Sequence, residues 1–398
     1  MGLITKDEQG NVSYLVRVNQ WYKIDLPPEG VHSLCVVPSK SDYTVDFGIT
    51  ASIKIDDVSN QDSPDVEKEI DCLRFAEGIS RVTFSGVCFP IFLKKIIFPS
   101  TLNYININPK RQYTHRTSAI EELDFSKVTS IGTFQRSSIK YLNHLENLDL
   151  SHIRCDEFET ECITSLPKLK TLFLPKGDDK HVVYVATGAF NYIGSPPSYT
   201  NIFLSGTVGL SNMWIKNSRI NNLILGSSSI RFLRSSWTPS TSASALSTPP
   251  SSVLVMSIED MMLNNRIKRI WLTAKRLYEF LSGDSQMFFI PGFFNKKKSS
   301  CVFDELYIVG TNIEEFRQIT NNSWFLTSAN AHRIVNMGSI SWDEAFRSKL
   351  HLDFKFEYKF IFTKKSKWID ILKKQSLKDE ELTIPDSTIY SPPNFPWE

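Results

Sequence analysis

The sequence lacks any apolar run near the ~18 residues that a membrane-spanning helix needs, so no insertion into a membrane is expected. The first eight residues, Met1 to Glu8, have neither the basic start nor the apolar core of a secretory signal. Lys6 stands where a myristoylation motif requires Ser or Thr. These absences lead to the expectation of an intracellular or virion-associated protein. An excess of one charge is missing too: 45 Lys and Arg against 43 Asp and Glu leave a formal +2, which argues against a general affinity for nucleic acid or membrane surfaces.

Paired cysteines are also lacking. Cys35, Cys72, Cys88, Cys155, Cys162 and Cys301 are scattered with no CxxC spacing, which reads as buried or free thiols rather than a disulfide scaffold or zinc site. No P-loop, GxGxxG, GxSxG, HExxH or EF-hand loop occurs. The nearest metal-like grouping is His144, His152, Cys155 and Cys162. Because His144 precedes and His152 follows one apolar strand segment, the group reads as loop and core residues. Gly177 to His181, with Asp178 and Asp179, reads as a solvated turn. Without a convergent acid, base and nucleophile, the chain is not expected to be an enzyme or to hold a cofactor or metal. Whether carboxylates from distant segments converge is left open.

What the sequence has is a recurring triplet of apolar residues with spacing 0, 3, 5. It occurs at Leu93-Ile96-Phe98, Ile120-Leu123-Phe125, Leu145-Leu148-Leu150, Leu169-Leu172-Leu174, Tyr199-Ile202-Leu204 and Ile220-Leu223-Leu225. It returns at Ile267-Ile270-Leu272 and Phe303-Leu306-Ile308, and degraded at Ala331 to Asn336. The early steps are 27, 25, 24, 30 and 21 residues, inside the roughly 20–29 residue period of leucine-rich repeats. The longer step from Ile220 to Ile267 has space for a degenerate rung at Val253–Met256. Ile79 to Phe84 carries the triplet too, but lies too close to Leu93 for a full rung and reads as an opening hairpin or cap. The last two apolar positions of each triplet lie two apart, as one face of a strand requires. No unit buries its apolar face alone, so units are expected to stack into a solenoid with a long parallel sheet.

Between triplets, Phe98-Pro99 is followed by Leu102 and Ile105, and Ile131-Gly132 by Phe134, with a related Gly188-Ala189-Phe190 later. At these residues, over roughly 70–340, the chain resembles the BspA-like (Treponema pallidum type) leucine-rich repeat family. The resemblance implies a non-catalytic role in adhesion and host–microbe contact.

The expected architecture is therefore a leucine-rich-repeat-like solenoid over 63–340, with parallel β rungs and irregular or short helical returns. Loop insertions fall at the Ser- and Pro-rich 235–252 and at 283–300. Residues 1–62 read as a small β module, either a cap on the first rung or an attachment domain. Residues 341–398 read as a β/α cap: a strictly alternating strand from Leu352 to Phe362, then a helix capped by Ser366 with Trp368, Ile371 and Leu372 inward, then an extended tail from Pro385.

The residue between the last two apolar positions should face outward: Ile97, Asp124, Asp149, Phe173, Phe203, Ile224, Trp271 and Tyr307. Phe173, Phe203, Ile224, Trp271 and Tyr307 would form an apolar stripe larger than a monomer normally exposes, and so either a partner-binding face or a surface covered by neighbouring loops or the C-terminal tail. Phe288, Phe289, Phe293 and Phe294, beside the run from Lys296 to Lys298, would add an aromatic anchor on a loop. The expected function is recognition or adhesion, binding a protein or glycan. The alternative is a structural part of a larger assembly, such as a phage virion or tail-associated protein, docked by the N-terminal module and self-assembling through the aromatic stripe as an interface between subunits.

Overall fold

A parallel strand bonds to a neighbour on each side, so an apolar segment recurring at regular intervals can add one strand per recurrence to a growing sheet. The computed structural model describes residues 3–6, 12–18, 21–23, 33–38, 49–54, 72–75, 77, 79–85, 94–108, 120–178, 180–211, 213–232, 262–263, 265–282, 302–320 and 357–391. These are mostly parallel β-sheet with few helices, in two compact units.

The first unit comprises Met1–Pro175 and Ala189–Thr200. Its main sheet runs Leu3–Lys6, Val12–Val18, Ser33–Pro38, Cys72–Phe75, Lys95–Ile97, Glu122–Asp124, Asn147–Asp149 and Thr171–Lys176, parallel except for the opening hairpin. A second parallel sheet runs Trp21–Lys23, Ile49–Lys54, Ile79–Ser85, Tyr104–Asn108, Ile139–Lys140, Ile163–Leu166 and Phe190–Ile193. Thr133–Phe134 and Glu157–Phe158 form a short third pair. The strands of residues 1–62 thus share both larger sheets with the strands that follow them. Ile79–Ser85, expected as a hairpin or cap, is an interior strand of the second sheet, because Arg81, Val82 and Thr83 register against Thr50, Ala51 and Ser52 on one side and Tyr104, Ile105 and Asn106 on the other. The two segments paired by their Gly and Phe also separate: Phe134 is in the third pair and Phe190 in the second sheet.

The triplet residues form the core between the sheets. Ile96, Leu123, Leu148 and Leu172 are in register and buried, as are Ile120, Leu145 and Leu169 before them and Phe98, Phe125, Leu150 and Leu174 after them. Burying a side chain of this size stabilises by about 1.5–3 kcal/mol. Aromatic stacks cross-link successive layers, Phe98 on Phe125 at 4.7 Å and Phe134 on Phe158 at 4.9 Å between centroids.

The second unit comprises Lys176–Gly188 and Asn201–Glu398. Arg219–Gly226, Arg266–Thr273, Val302–Gly310 and Glu357–Phe362 pair in parallel, with Thr200–Ser205 beside the first and Thr388–Tyr390 antiparallel to the last. Val183–Val185, Thr207–Leu210 and Ser229–Phe232 form a smaller parallel sheet, and Ile215–Lys216 pairs with Met262–Leu263. Helices α1 (Ala274–Ser282) and α2 (Ile313–Thr320) follow strands directly or after a two-residue turn and pack on each other, with Phe316 edge-on to Phe360 at 5.3 Å.

Helix α3 (Trp368–Leu377) buries Trp368 and Leu372, while Ile371 is half-buried. Its N-cap is Lys367 rather than Ser366, and no side chain caps it. The insertions 235–252 and 283–300, the rungs at Val253–Met256 and Ala331–Asn336, the start of the alternating strand at Leu352 and the end of the tail lie outside the described residues.

Candidate functional site

Strands Glu122–Asp124 and Asn147–Asp149 are three residues long, with only the middle Leu buried. Side chains on either side of that Leu must leave the core, and the parallel register stacks them. One row runs Lys95, Glu122, Asn147, Thr171 and the next Ile97, Asp124, Asp149, Phe173. Carboxylates from two layers thereby meet along an open groove of about 750 Å³, lined by Glu121, Glu122, Asp124, Glu146 and Asp149 together with Asn147, His144, His152 and Lys168.

The turns that follow the strands hold these groups. The Asp124 carboxylate accepts the Ser126 N–H at 3.0 Å, and Asp149 accepts the Ser151 N–H at 2.9 Å, so each Asp closes its own turn. Lys95 Nζ donates to Glu122 at 2.7 Å and lies 3.4 Å from Asp124. Burial pushes the Asp124 carboxyl up, but the Ser126 hydrogen bonds and the Lys95 charge outweigh it and hold it below the usual range. The hydrogen bond to Glu122 raises the Lys95 ammonium despite partial burial. Lys170 lies 3.3 Å from Glu146. Among the described residues neither Glu121 nor Asp149 is ion-paired.

The histidines frame the groove. His152 Nε2 lies 2.8 Å from the Phe125 carbonyl, which can only accept, so the imidazole donates there. Lys168 donates to His144 Nδ1 at 3.3 Å. Cys155 and Cys162 are elsewhere: both are buried, with thiols directed to the Glu157 and Ala189 carbonyls. The four residues do not make one site, and among the described residues no group of three or more His, Cys, Asp or Glu side chains is arranged to hold a metal ion. Asp178 forms a turn of its own, accepting the Lys180 and His181 N–H groups at 2.8 Å.

The expected aromatic stripe does not stand open. Phe173 is 2 % exposed, and Phe203, Ile224 and Trp271 are each 1 % exposed, while Tyr307 is half-buried. In the second unit the cause is α3, which lies across that face of the sheet. Trp368 packs on Trp271 at 6.4 Å between centroids, Ile369 reaches Gly226, and Ser376 Oγ accepts from Asn201 at 3.0 Å. Phe288, Phe289, Phe293 and Phe294 lie outside the described residues.

The carboxylates of the groove were legible only as outward positions. Asp124 and Asp149 occupy the same place in consecutive repeats, each preceded by Glu at 121–122 or 146, and that repetition was the available signal. No protein-family model, curated protein or solved structure matches this chain.

Proposed function

We propose that the chain is a non-catalytic recognition protein, built as a leucine-rich-repeat-like solenoid, that binds a protein partner through the acidic groove. The observation that carries this reading is the groove itself: an open sheet face lined by five carboxylates, of which Glu122 and Asp124 pair with Lys95 and Glu146 with Lys170, while Glu121 and Asp149 have no ion-pair partner among the described residues. Charges arranged this way attract a cationic partner and set its register more than they add raw affinity. A Lys- or Arg-rich protein segment is therefore the favoured ligand over a neutral glycan. The near-neutral whole chain directs that attraction to the groove rather than to the surface at large.

The test is binding of a fluorescent Lys/Arg-rich peptide, with a neutral Ser/Gly peptide and neutral oligosaccharides as comparisons. Saturable binding that weakens with added salt, and falls about two- to five-fold for each of Glu121→Gln and Asp149→Asn, is expected for exposed pairs of about 0.5–1 kcal/mol. Equal binding of the neutral peptide, or no change in either variant, would remove the groove as the site. Oligosaccharide binding lost in the same variants would replace the protein ligand with a glycan.

A further inference from the structure

The face under α3 has the anatomy of a recognition interface rather than of an ordinary core. At its centre a chain of side-chain hydrogen bonds crosses the strands: Asn201 Nδ2 donates to Ser376 Oγ at 3.0 Å, Asn222 Nδ2 to Asn201 Oδ1 at 2.8 Å, and Trp271 Nε1 to Asn222 Oδ1 at 2.8 Å. Asn201, Asn222 and Trp271 are all buried. Two indoles, Trp271 and Trp368, stack across the contact at an interplanar angle of 28°. Around them is a charged rim. Glu305 receives Arg269 and Lys359, each at 2.6 Å, and the Tyr307 hydroxyl at 3.0 Å, while Arg269 reaches Glu381 at 3.3 Å. A desolvated aromatic centre with specific hydrogen bonds inside a polar rim is how one protein surface recognises another.

The helix that fills this face is slight. It is 10 residues long, has no side-chain N-cap, and buries only Trp368, Leu372 and Ser376, a single stripe at four-residue spacing. A helix this short is marginal by itself in water, so its order depends on the face. Exposed Lys364, Lys365, Ser366 and Lys367 join it to the last parallel strand.

We propose that this sheet face is a helix-binding site, occupied in cis by the chain's own C-terminal strap, and that the strap is exchangeable. Its ligand is an amphipathic helix presenting Trp, Leu and Ser at positions i, i+4 and i+8. The strap keeps Phe203, Ile224 and Trp271 from water and withholds the face from any competing helix of that pattern. The inference is independent of the acidic groove, which lies in the other unit.

The experiment uses a fluorescent peptide of residues 363–391, titrated with the unaltered full-length chain and with Trp368→Ala. Loosening the cis helix raises the fraction of open face, and apparent affinity in trans scales with that fraction. Saturable binding to Trp368→Ala, at least ~10-fold tighter than to the unaltered chain and weakened by a further Asn222→Ala, is the expected result. Absence of saturable binding to a Trp368→Ala chain that keeps its circular dichroism and cooperative melt would overturn the proposal. If that variant does not fold, native-state hydrogen exchange of the unaltered chain decides. Amides of α3 should open at lower free energy than those of Arg219–Gly226 and Arg266–Thr273, and equal protection of helix and strands overturns the strap.

Discussion

At the scale of single residues, two positions show how tightly the layers constrain side-chain chemistry. Burial pushes the Cys155 thiol up to about 12, and Cys162, fully buried, also lies well above its usual value for the same reason. A thiol that stays protonated is a poor nucleophile. Both cysteines should resist an alkylating reagent at pH 8 in the folded chain and react only on denaturation, as read by peptide mapping of the labelled sites. Gly206 has φ +68°, and an added Cβ would overlap the Gly177 carbonyl. Gly206→Ala therefore incurs about 1–2 kcal/mol for the left-handed backbone alone and the overlap besides. A lowered melting temperature is expected, and an unchanged one would mean that this backbone approach is not made in solution.

At the scale of elements, the strand Arg219–Gly226 displays both environments. Its first residues alternate between half-buried and buried, and from Asn222 onward every residue is buried. The change marks where α3 begins to cover the outer face. Asn222 then becomes the residue on which the covering depends, because it both donates and accepts within the buried chain. Asn222→Ala leaves the Asn201 oxygen and the Trp271 N–H without these partners. The expected cost is about 1–3 kcal/mol for each orphaned group, measured by denaturant unfolding. A double-mutant cycle with Ser376→Ala should show coupling of at least ~0.5 kcal/mol. Additive effects would mean that the three side chains do not act as one network.

At the scale of the whole molecule, pH should define a stability plateau with distinct limbs. Asp124 and Glu305 are pushed up by burial but pulled further down by hydrogen bonds, from Ser126 and Lys95 to the first and from Lys359, Arg269 and Tyr307 to the second. Below about pH 4 the unfolded chain takes up these protons before the folded chain does. The stability the two carboxylates contribute is therefore present above that pH and lost as pH falls through their folded values. On the alkaline side Lys95 is raised, first by its hydrogen bond to Glu122, so its contribution persists below about pH 10.4 and is lost as pH rises through the folded value. Cys155 adds to this limb between about pH 8.5 and its own value, since the unfolded thiol ionises first. Melting temperature should be level from about pH 5 to 8, and Asp124→Asn should flatten the acid limb. An acid limb identical in that variant would show that the Asp124 contacts do not contribute.

The sequence by itself determined the repeating apolar positions, the parallel order of the strands they form and the burial of Leu123, Leu148, Leu172 and Ile270. A spacing of two residues admits only one face of a strand, and no layer can bury that face alone. It did not reveal the residues that take left-handed backbone, such as Ser137, Tyr141, Glu161, Ser165 and Tyr192. None is Gly; the Ser137 N–H donates to the Glu161 carbonyl at 3.1 Å and the Tyr141 N–H to the Thr164 carbonyl at 3.2 Å, each from the neighbouring layer. Nor could it say which outward positions stay open. Asp124 and Trp271 occupy the same place in the repeat, yet one lines a groove and the other is sealed. That difference comes from Trp368 and Ser376, far along the chain, and from carboxylates of separate segments brought to one face. Local spacing sets which way a side chain points; what meets it there is decided by chain that folds back from a distance.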